Sequence, residues 1–62
     1  MQLVLDNKRK EMEFKGTVQD LLKELKVRRE EVVIKVNGSL TPETKEIGPD
    51  DRVEIIQVVF GG

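Results

Sequence analysis

The sequence predicts an α+β fold, in which a mixed sheet of four or five strands packs on one α-helix. Two observations support it: one segment repeats its apolar residues with the period of a helix, and the segments around it are short β-type runs separated by turn residues. Thirteen of the 23 apolar residues are Val or Ile, which favour strands. The 62 residues suffice for one small domain, so residues 1–62 are expected to form a single unit.

The N-terminal part of the chain is predicted to form a β-hairpin. Residues 3–5 are a short apolar run that ends at an Asp-Asn turn signal. Residues 10–15 alternate strictly between charged and apolar, with Met12 and Phe14 on one face, which is typical of a half-buried strand. We therefore expect two antiparallel strands joined across residues 6–9.

One amphipathic helix is predicted over residues 18–26. Its apolar residues have the spacing of one helical face: Val18, Leu21, Leu22 and Leu25. Thr17 stands at the N-cap position, and Asp20 lies close to the positive end of the helix dipole. The simplest role for this helix is to pack on the sheet of its own chain.

The second half of the chain predicts three more strands. The β-branched run 32–36 is followed at once by Asn-Gly at 37–38, the residues that a type I′ hairpin turn requires. The return strand, 39–41, is short because Pro42 stops it. Residues 53–60 form the longest and most apolar predicted strand, interrupted only by Glu54 and Gln57, which indicates a central position in the sheet. If this strand pairs in parallel with the first, the topology is the β-grasp arrangement.

The side-chain inventory excludes most catalytic chemistry. The chain has no Cys and no His, so thiolate or imidazole metal sites and Cys or Ser–His nucleophiles are absent. A net charge of −1, two Phe and no Tyr or Trp argue against a nucleic-acid partner. No apolar run exceeds three residues, so we expect no membrane span or signal peptide and a cytoplasmic location. The chain is therefore not expected to be an enzyme.

The diglycine Gly61-Gly62 is the feature that points to function. It follows the most apolar predicted strand without a polar spacer, so residues 60–62 are expected to form a flexible tail at the edge of the sheet. Glycines lack Cβ atoms, so Gly61 would let the backbone thread through a narrow channel toward a nucleotide. A carboxylate at Gly62 becomes a good electrophile once its oxygen is converted into a leaving group, as in an acyl-adenylate.

Several short segments occur in a characteristic order along the chain. They are the opening Met-Gln-Leu-Val-Leu, Thr17-Val18 with Leu21-Leu22, Val36-Asn37-Gly38 with Pro42, the run Asp-Arg-Val-Glu-Ile-Ile at 51–56, and Gly61-Gly62. With this ordered set the chain resembles the ubiquitin-like sulfur carriers of the ThiS and MoaD type over essentially its whole length. Its length is closer to the thiamin-biosynthesis carriers than to the longer molybdopterin synthase small subunits.

The resemblance implies a carrier protein that serves as a cosubstrate. A partner adenylating enzyme, similar to ubiquitin-activating enzymes, would use ATP to adenylate the Gly62 carboxylate. Sulfur from a donor such as a cysteine desulfurase or a rhodanese would then displace AMP and leave a thiocarboxylate. A sulfur-accepting synthase of a thiamin, molybdopterin or tRNA-thiolation pathway would receive that sulfur. The chain itself would bind no cofactor and no metal.

One residue before the diglycine departs from the family pattern. Phe60 stands where members usually have a small residue, and it either docks in an apolar pocket of a partner or covers the chain's own core. With Val58 and Val59 it forms the predicted partner interface. Two other functions stay open: a ubiquitin-like modifier that is joined through Gly62 to target lysines, and a non-covalent β-grasp adaptor that binds by its sheet.

Overall fold

The computed structural model describes residues 1–58 of the chain. Their elements follow in the order β1 (Gln2–Leu5), β2 (Lys8–Glu11), β3 (Gly16–Thr17), α1 (Val18–Leu25), β4 (Val32–Val36), β5 (Ser39–Leu40), β6 (Glu46–Ile47) and β7 (Arg52–Gln57). A single 3₁₀ turn, Arg29–Glu31, precedes β4. The α+β class and the single helix are as the sequence predicts.

The main sheet has five strands in the order β2-β1-β7-β4-β5. The last strand, β7, lies at its centre, parallel to β1 and antiparallel to β4. This confirms both the central position of the last strand and its parallel pairing with the first. Two further strands, β3 and β6, form a separate two-stranded sheet.

The first hairpin differs from its predicted bounds. Asp6 and Asn7 form a two-residue turn with φ of 52° and 63°, so pairing resumes at Lys8, and β2 is exposed along its whole length. The strand predicted over residues 10–15 is therefore wrong in position. Because β1 has only four residues, its partner strand ends at Glu11. The alternation that suggested the strand has another origin, since Met12 and Phe14 are half-buried side chains that pack against the core from the segment after β2. Only the Met12 amide continues the hairpin, by donating to the Met1 carbonyl at 3.0 Å.

The helix α1 begins and ends close to its predicted limits. Thr17 caps it with a reciprocal pair of bonds: the Asp20 amide donates to the Thr17 hydroxyl at 3.2 Å, and the Asp20 carboxylate accepts from the Thr17 amide at 3.3 Å. Lys26, at φ 58°, ends the helix in the left-handed conformation, and its amide donates to the Leu22 and Lys23 carbonyls. Within residues 1–58 no helix has the length and apolar character needed to cross a bilayer.

The core lies between α1 and one face of the main sheet. Its buried side chains come from the helix, from three sheet strands and from β6: Leu3, Val18, Leu21, Leu22, Ile34, Val36, Ile47, Val53 and Ile55. The β3–β6 pair closes one end of this core, because β6 carries Ile47 and the preceding loop accepts hydrogen bonds from the first amides of α1. Gly16 of β3 is closely surrounded, since a Cβ atom there would lie 3.3 Å from both the Phe14 ring and the Asp20 carboxylate.

Candidate functional site

The end of β7 is where the fold presents the C-terminal part of the chain. β1 pairs with β7 only as far as Ile55, whereas β4 continues to pair as far as Gln57. The Val58 amide then donates to the Glu31 carbonyl at 2.9 Å, which extends the β4 side of the ladder by one more bond. The backbone is therefore anchored on one side up to Val58.

Only one of the predicted site residues lies within the described part of the chain. Val58 is half-buried and is held by the backbone bond to Glu31. The other four predicted site residues lie outside the described residues: Val59, Phe60, Gly61 and Gly62. Their roles in partner contact, threading and adenylation stay predictions.

The face of the main sheet opposite α1 exposes apolar side chains beside the end of β7. Ile56 lies directly opposite Val33 on β4, and it is 40% exposed. Leu40 lies opposite Lys35 on the same side and is 71% exposed. We call Val33, Leu40 and Ile56 the open-face patch. Burial alternates along β7, since Val53 and Ile55 are buried and Glu54 and Ile56 are not, so Ile56 lies on the face opposite the core.

Charged groups lie next to the open-face patch. Lys35 and Glu54 are opposite each other on β4 and β7, two pairs along from Val33 and Ile56 and therefore on the same face of the sheet. On the other side, Arg29 Nε donates to Glu43 Oε2 at 2.8 Å and joins the 3₁₀ turn to the loop after β5. A groove of about 660 Å³ runs between these two segments and includes Val33 and Leu40 in its wall. The patch is thus apolar in its middle and charged at its rim, which is the composition of a protein-binding surface.

The other end of β7 is fixed by a group of hydrogen bonds that we call the turn clasp. Asn37 Nδ2 donates to Asp51 Oδ1 at 3.0 Å, and the Arg52 amide donates to Asn37 Oδ1 at 3.0 Å. Asp51 Oδ2 in turn accepts from the Gly48 amide at 2.8 Å. The Asn37 amide group and the Gly48 N–H both stabilise the charged carboxylate, so they hold the pKa of Asp51 below its ordinary value of 3.8. The clasp joins the β4–β5 turn to the start of β7.

These features together define the class of protein. A mixed sheet that wraps one helix, with its last strand central and parallel to its first, is the ubiquitin-like β-grasp fold. The model of the ThiS family matches residues 4–62 of the chain, which includes the diglycine. The chain belongs to the ThiS family, whose members are small sulfur carrier proteins that are not themselves catalytic.

A solved structure agrees with this assignment. The chain is similar to the thiamine biosynthesis protein ThiS of Geobacter metallireducens, with 26% sequence identity and a TM-score of 0.69, over 100% of both chains. None of the curated proteins matches the sequence. The family match and this structure confirm the resemblance to sulfur carriers that the ordered sequence segments indicate.

Proposed function

We propose that this chain carries sulfur for thiamin biosynthesis in the cytoplasm, as a thiocarboxylate on Gly62. The observation that supports the proposal most directly is that the family match extends over the diglycine. The fold supports it as well, because the central strand of the sheet leads directly toward that end of the chain. With no Cys and no His in the sequence, the main-chain carboxylate is the group best suited to the chemistry.

The proposed reaction has two steps on the partner enzyme. A carboxylate oxygen of Gly62 attacks the α-phosphorus of ATP, pyrophosphate leaves, and an acyl-adenylate forms. In the second step the outer sulfur of a persulfide on a donor such as a cysteine desulfurase or a rhodanese displaces AMP and forms an acyl disulfide. A second thiol attacks the donor's sulfur, becomes a disulfide with it and releases the thiocarboxylate, which passes to a sulfur-accepting synthase. The carrier supplies only the acyl group, so ATP is bound by the enzyme. Four residues follow Val58, and such a segment spans about 13 Å when extended.

We also propose that the adenylating enzyme covers the open-face patch. The patch lies on the strand pair that anchors Val58, so an enzyme that receives residues 60–62 as a tail meets this face of the sheet first. Ile56 supplies the buried centre of such an interface, and Lys35 with Glu54 lies at its rim. Val59 and Phe60 continue the contact toward the enzyme, and Gly61 enters its channel.

The test is reconstitution with the adenylating enzyme of the same organism, ATP and a sulfur donor. Intact-mass measurement should show one oxygen replaced by sulfur, and a chain without Gly62 serves as the matched control that stays unmodified. Recovery of unmodified carboxylate only, from an enzyme that releases pyrophosphate with this carrier, would contradict sulfur transfer.

Two alternatives give different products in the same experiment and in cells. A protein modifier yields conjugates of high mass that keep a diglycine remnant on target lysines. A non-covalent adaptor keeps its partner binding when Gly62 is deleted. Detection of conjugates without any thiocarboxylate would therefore contradict the carrier function and support the modifier function.

A further inference from the structure

The turn between β4 and β5 contains a chemically labile pair, Asn37-Gly38. In such a pair the backbone nitrogen of the second residue can attack the side-chain amide carbon of the asparagine. Ammonia leaves, a five-membered succinimide forms, and water opens this ring to an aspartate or an isoaspartate. Glycine favours the attack because it has no side chain to obstruct it. The chain has one other asparagine, Asn7, and that residue is followed by Lys8.

Asn37 is open to solvent on one side and restrained on the other. It is exposed, and no atom outside residues 37–39 lies within 4 Å of the position that a Cβ atom of Gly38 would take, so water can reach the site. Its side chain, however, is held by the turn clasp through both amide atoms: Nδ2 donates to Asp51 and Oδ1 accepts from the Arg52 amide, each at 3.0 Å. To bring the amide carbon onto the Gly38 nitrogen, the side chain must leave both partners.

We propose that Asn37 is a site of spontaneous deamidation and that the turn clasp sets its rate. In the closed clasp both atoms of the side-chain amide are engaged, so the side chain is not free to turn toward the Gly38 nitrogen. When the clasp opens, the nitrogen loses its proton to solvent and attacks, the C–N bond to the side-chain amide breaks, and ammonia carries off the leaving nitrogen. Hydrolysis of the succinimide completes the reaction and consumes one water.

The product cannot restore the clasp. An aspartate at position 37 has an acceptor oxygen where Nδ2 was a donor, and that oxygen would face Asp51 Oδ1 across the same 3.0 Å. Two carboxylates at that distance repel each other. An isoaspartate adds one backbone carbon to a two-residue turn, which does not fit the pairing of Val36 with Ser39. Deamidation therefore removes the side-chain bond between Asn37 and Asp51 permanently, and the turn is then held to the start of β7 by backbone pairing.

The experiment incubates the folded full-length protein at mildly alkaline pH and follows the tryptic peptide 36–45 by mass spectrometry. In the wild type, deamidation is expected at Asn37 before it is detected at Asn7, which also lies in an exposed two-residue turn at positive φ. Asp51→Ala removes the acceptor of Nδ2. One hydrogen bond of ordinary strength favours the closed state about fivefold, so deamidation at Asn37 should become about five times faster.

Leu25→Ala is the control, because it removes core packing from α1, an element that contributes no residue to the turn clasp. Its rate at Asn37 should stay within twofold of the wild type, whereas an acceleration equal to that of Asp51→Ala would show that global unfolding controls the reaction and would overturn the proposal. A rate in the folded wild type as high as in the isolated peptide 36–45 would also overturn it. This comparison stands even if Asp51→Ala fails to fold.

Discussion

Two neighbouring isoleucines on β7 lie on opposite faces of the sheet. The same substitution at each position therefore tests the role of the two faces separately. Ile55 is 2% exposed and lies in the core, while Ile56 is 40% exposed and lies in the open-face patch. Ile55→Ala and Ile56→Ala remove the same atoms from the same strand, so their loss of β-propensity is similar. The difference between the two variants therefore reports how deeply each side chain is buried.

The two substitutions are expected to differ clearly in the unfolding free energy that they remove. Ile55→Ala leaves a cavity beneath the centre of the sheet and should cost about 3 kcal/mol of unfolding free energy. A domain of this length has about 3–9 kcal/mol in total, so this loss removes a large share of it. Ile56→Ala gives up only part of a burial worth about 1.5–3 kcal/mol and should cost at most about 1 kcal/mol. At about 4–8 °C per kcal/mol, the melting temperatures should fall by about 12–24 °C and by less than about 8 °C.

Urea and thermal unfolding followed by circular dichroism measure these changes. In the reconstituted sulfur-transfer reaction the order should be the reverse of that for stability. Ile56→Ala should lose more activity than Ile55→Ala, since Ile56 is proposed to contact the enzyme. Ile56→Ala should lower kcat/KM for thiocarboxylate formation about tenfold, and Ile55→Ala should have little effect at a temperature where it is folded. Equal stability losses would refute the assignment of the two faces. Full activity of Ile56→Ala would refute the proposed docking surface.

Three further predictions concern the helix cap, the turn clasp and the tail. Thr17→Ala removes the acceptor of the Asp20 amide and should cost about 1 kcal/mol in urea unfolding, while Thr44→Ala in an exposed loop should cost little. Asp51 has a lowered pKa in the folded state, so its charge stabilises the fold above its unfolded pKa, and this contribution disappears as the pH falls through the folded pKa. Urea midpoints should therefore show the wild type losing its advantage over Asp51→Asn in that acidic range. If the urea midpoints of the wild type and of Asp51→Asn change with pH in parallel, the charge of Asp51 does not stabilise the clasp. Gly61→Val should leave the melting temperature unchanged but block adenylation, measured as pyrophosphate release, because a β-branched residue restricts the threading backbone.

The elements with a strong local signal are those that the sequence predicts correctly. The apolar spacing of α1 with Thr17 before it identifies the helix, and the β-branched run followed by Asn37-Gly38 identifies β4 and its turn. The apolar character of β7 also gives its central place and, with it, the parallel pairing with β1. Each of these signals depends on residues close together in the chain or on the overall hydrophobicity of one segment. A single sequence displays both directly.

The features that the sequence did not predict depend on contacts between distant residues. The two-residue strands β3 and β6 are too short to have a period, and they are held by pairing across a separation of about 30 residues. The turn clasp joins Asn37 to Asp51 through side-chain geometry that no spacing rule describes. The open-face patch emerges only when β4, β5 and β7 are placed side by side, because Val33, Leu40 and Ile56 are far apart in the chain.

The central position of β7 also has a consequence for how the protein folds during its synthesis. The hairpin of β1 with β2 and the hairpin of β4 with β5 do not touch each other in the main sheet, since β7 lies between them. During synthesis both hairpins are made before the strand that joins them, so the main sheet cannot assemble until β7 has left the ribosome. A ribosome that stalls before Arg52 releases a chain with a divided sheet, which proteases can remove. Folding thus selects for copies in which the strand leading toward the diglycine has been made.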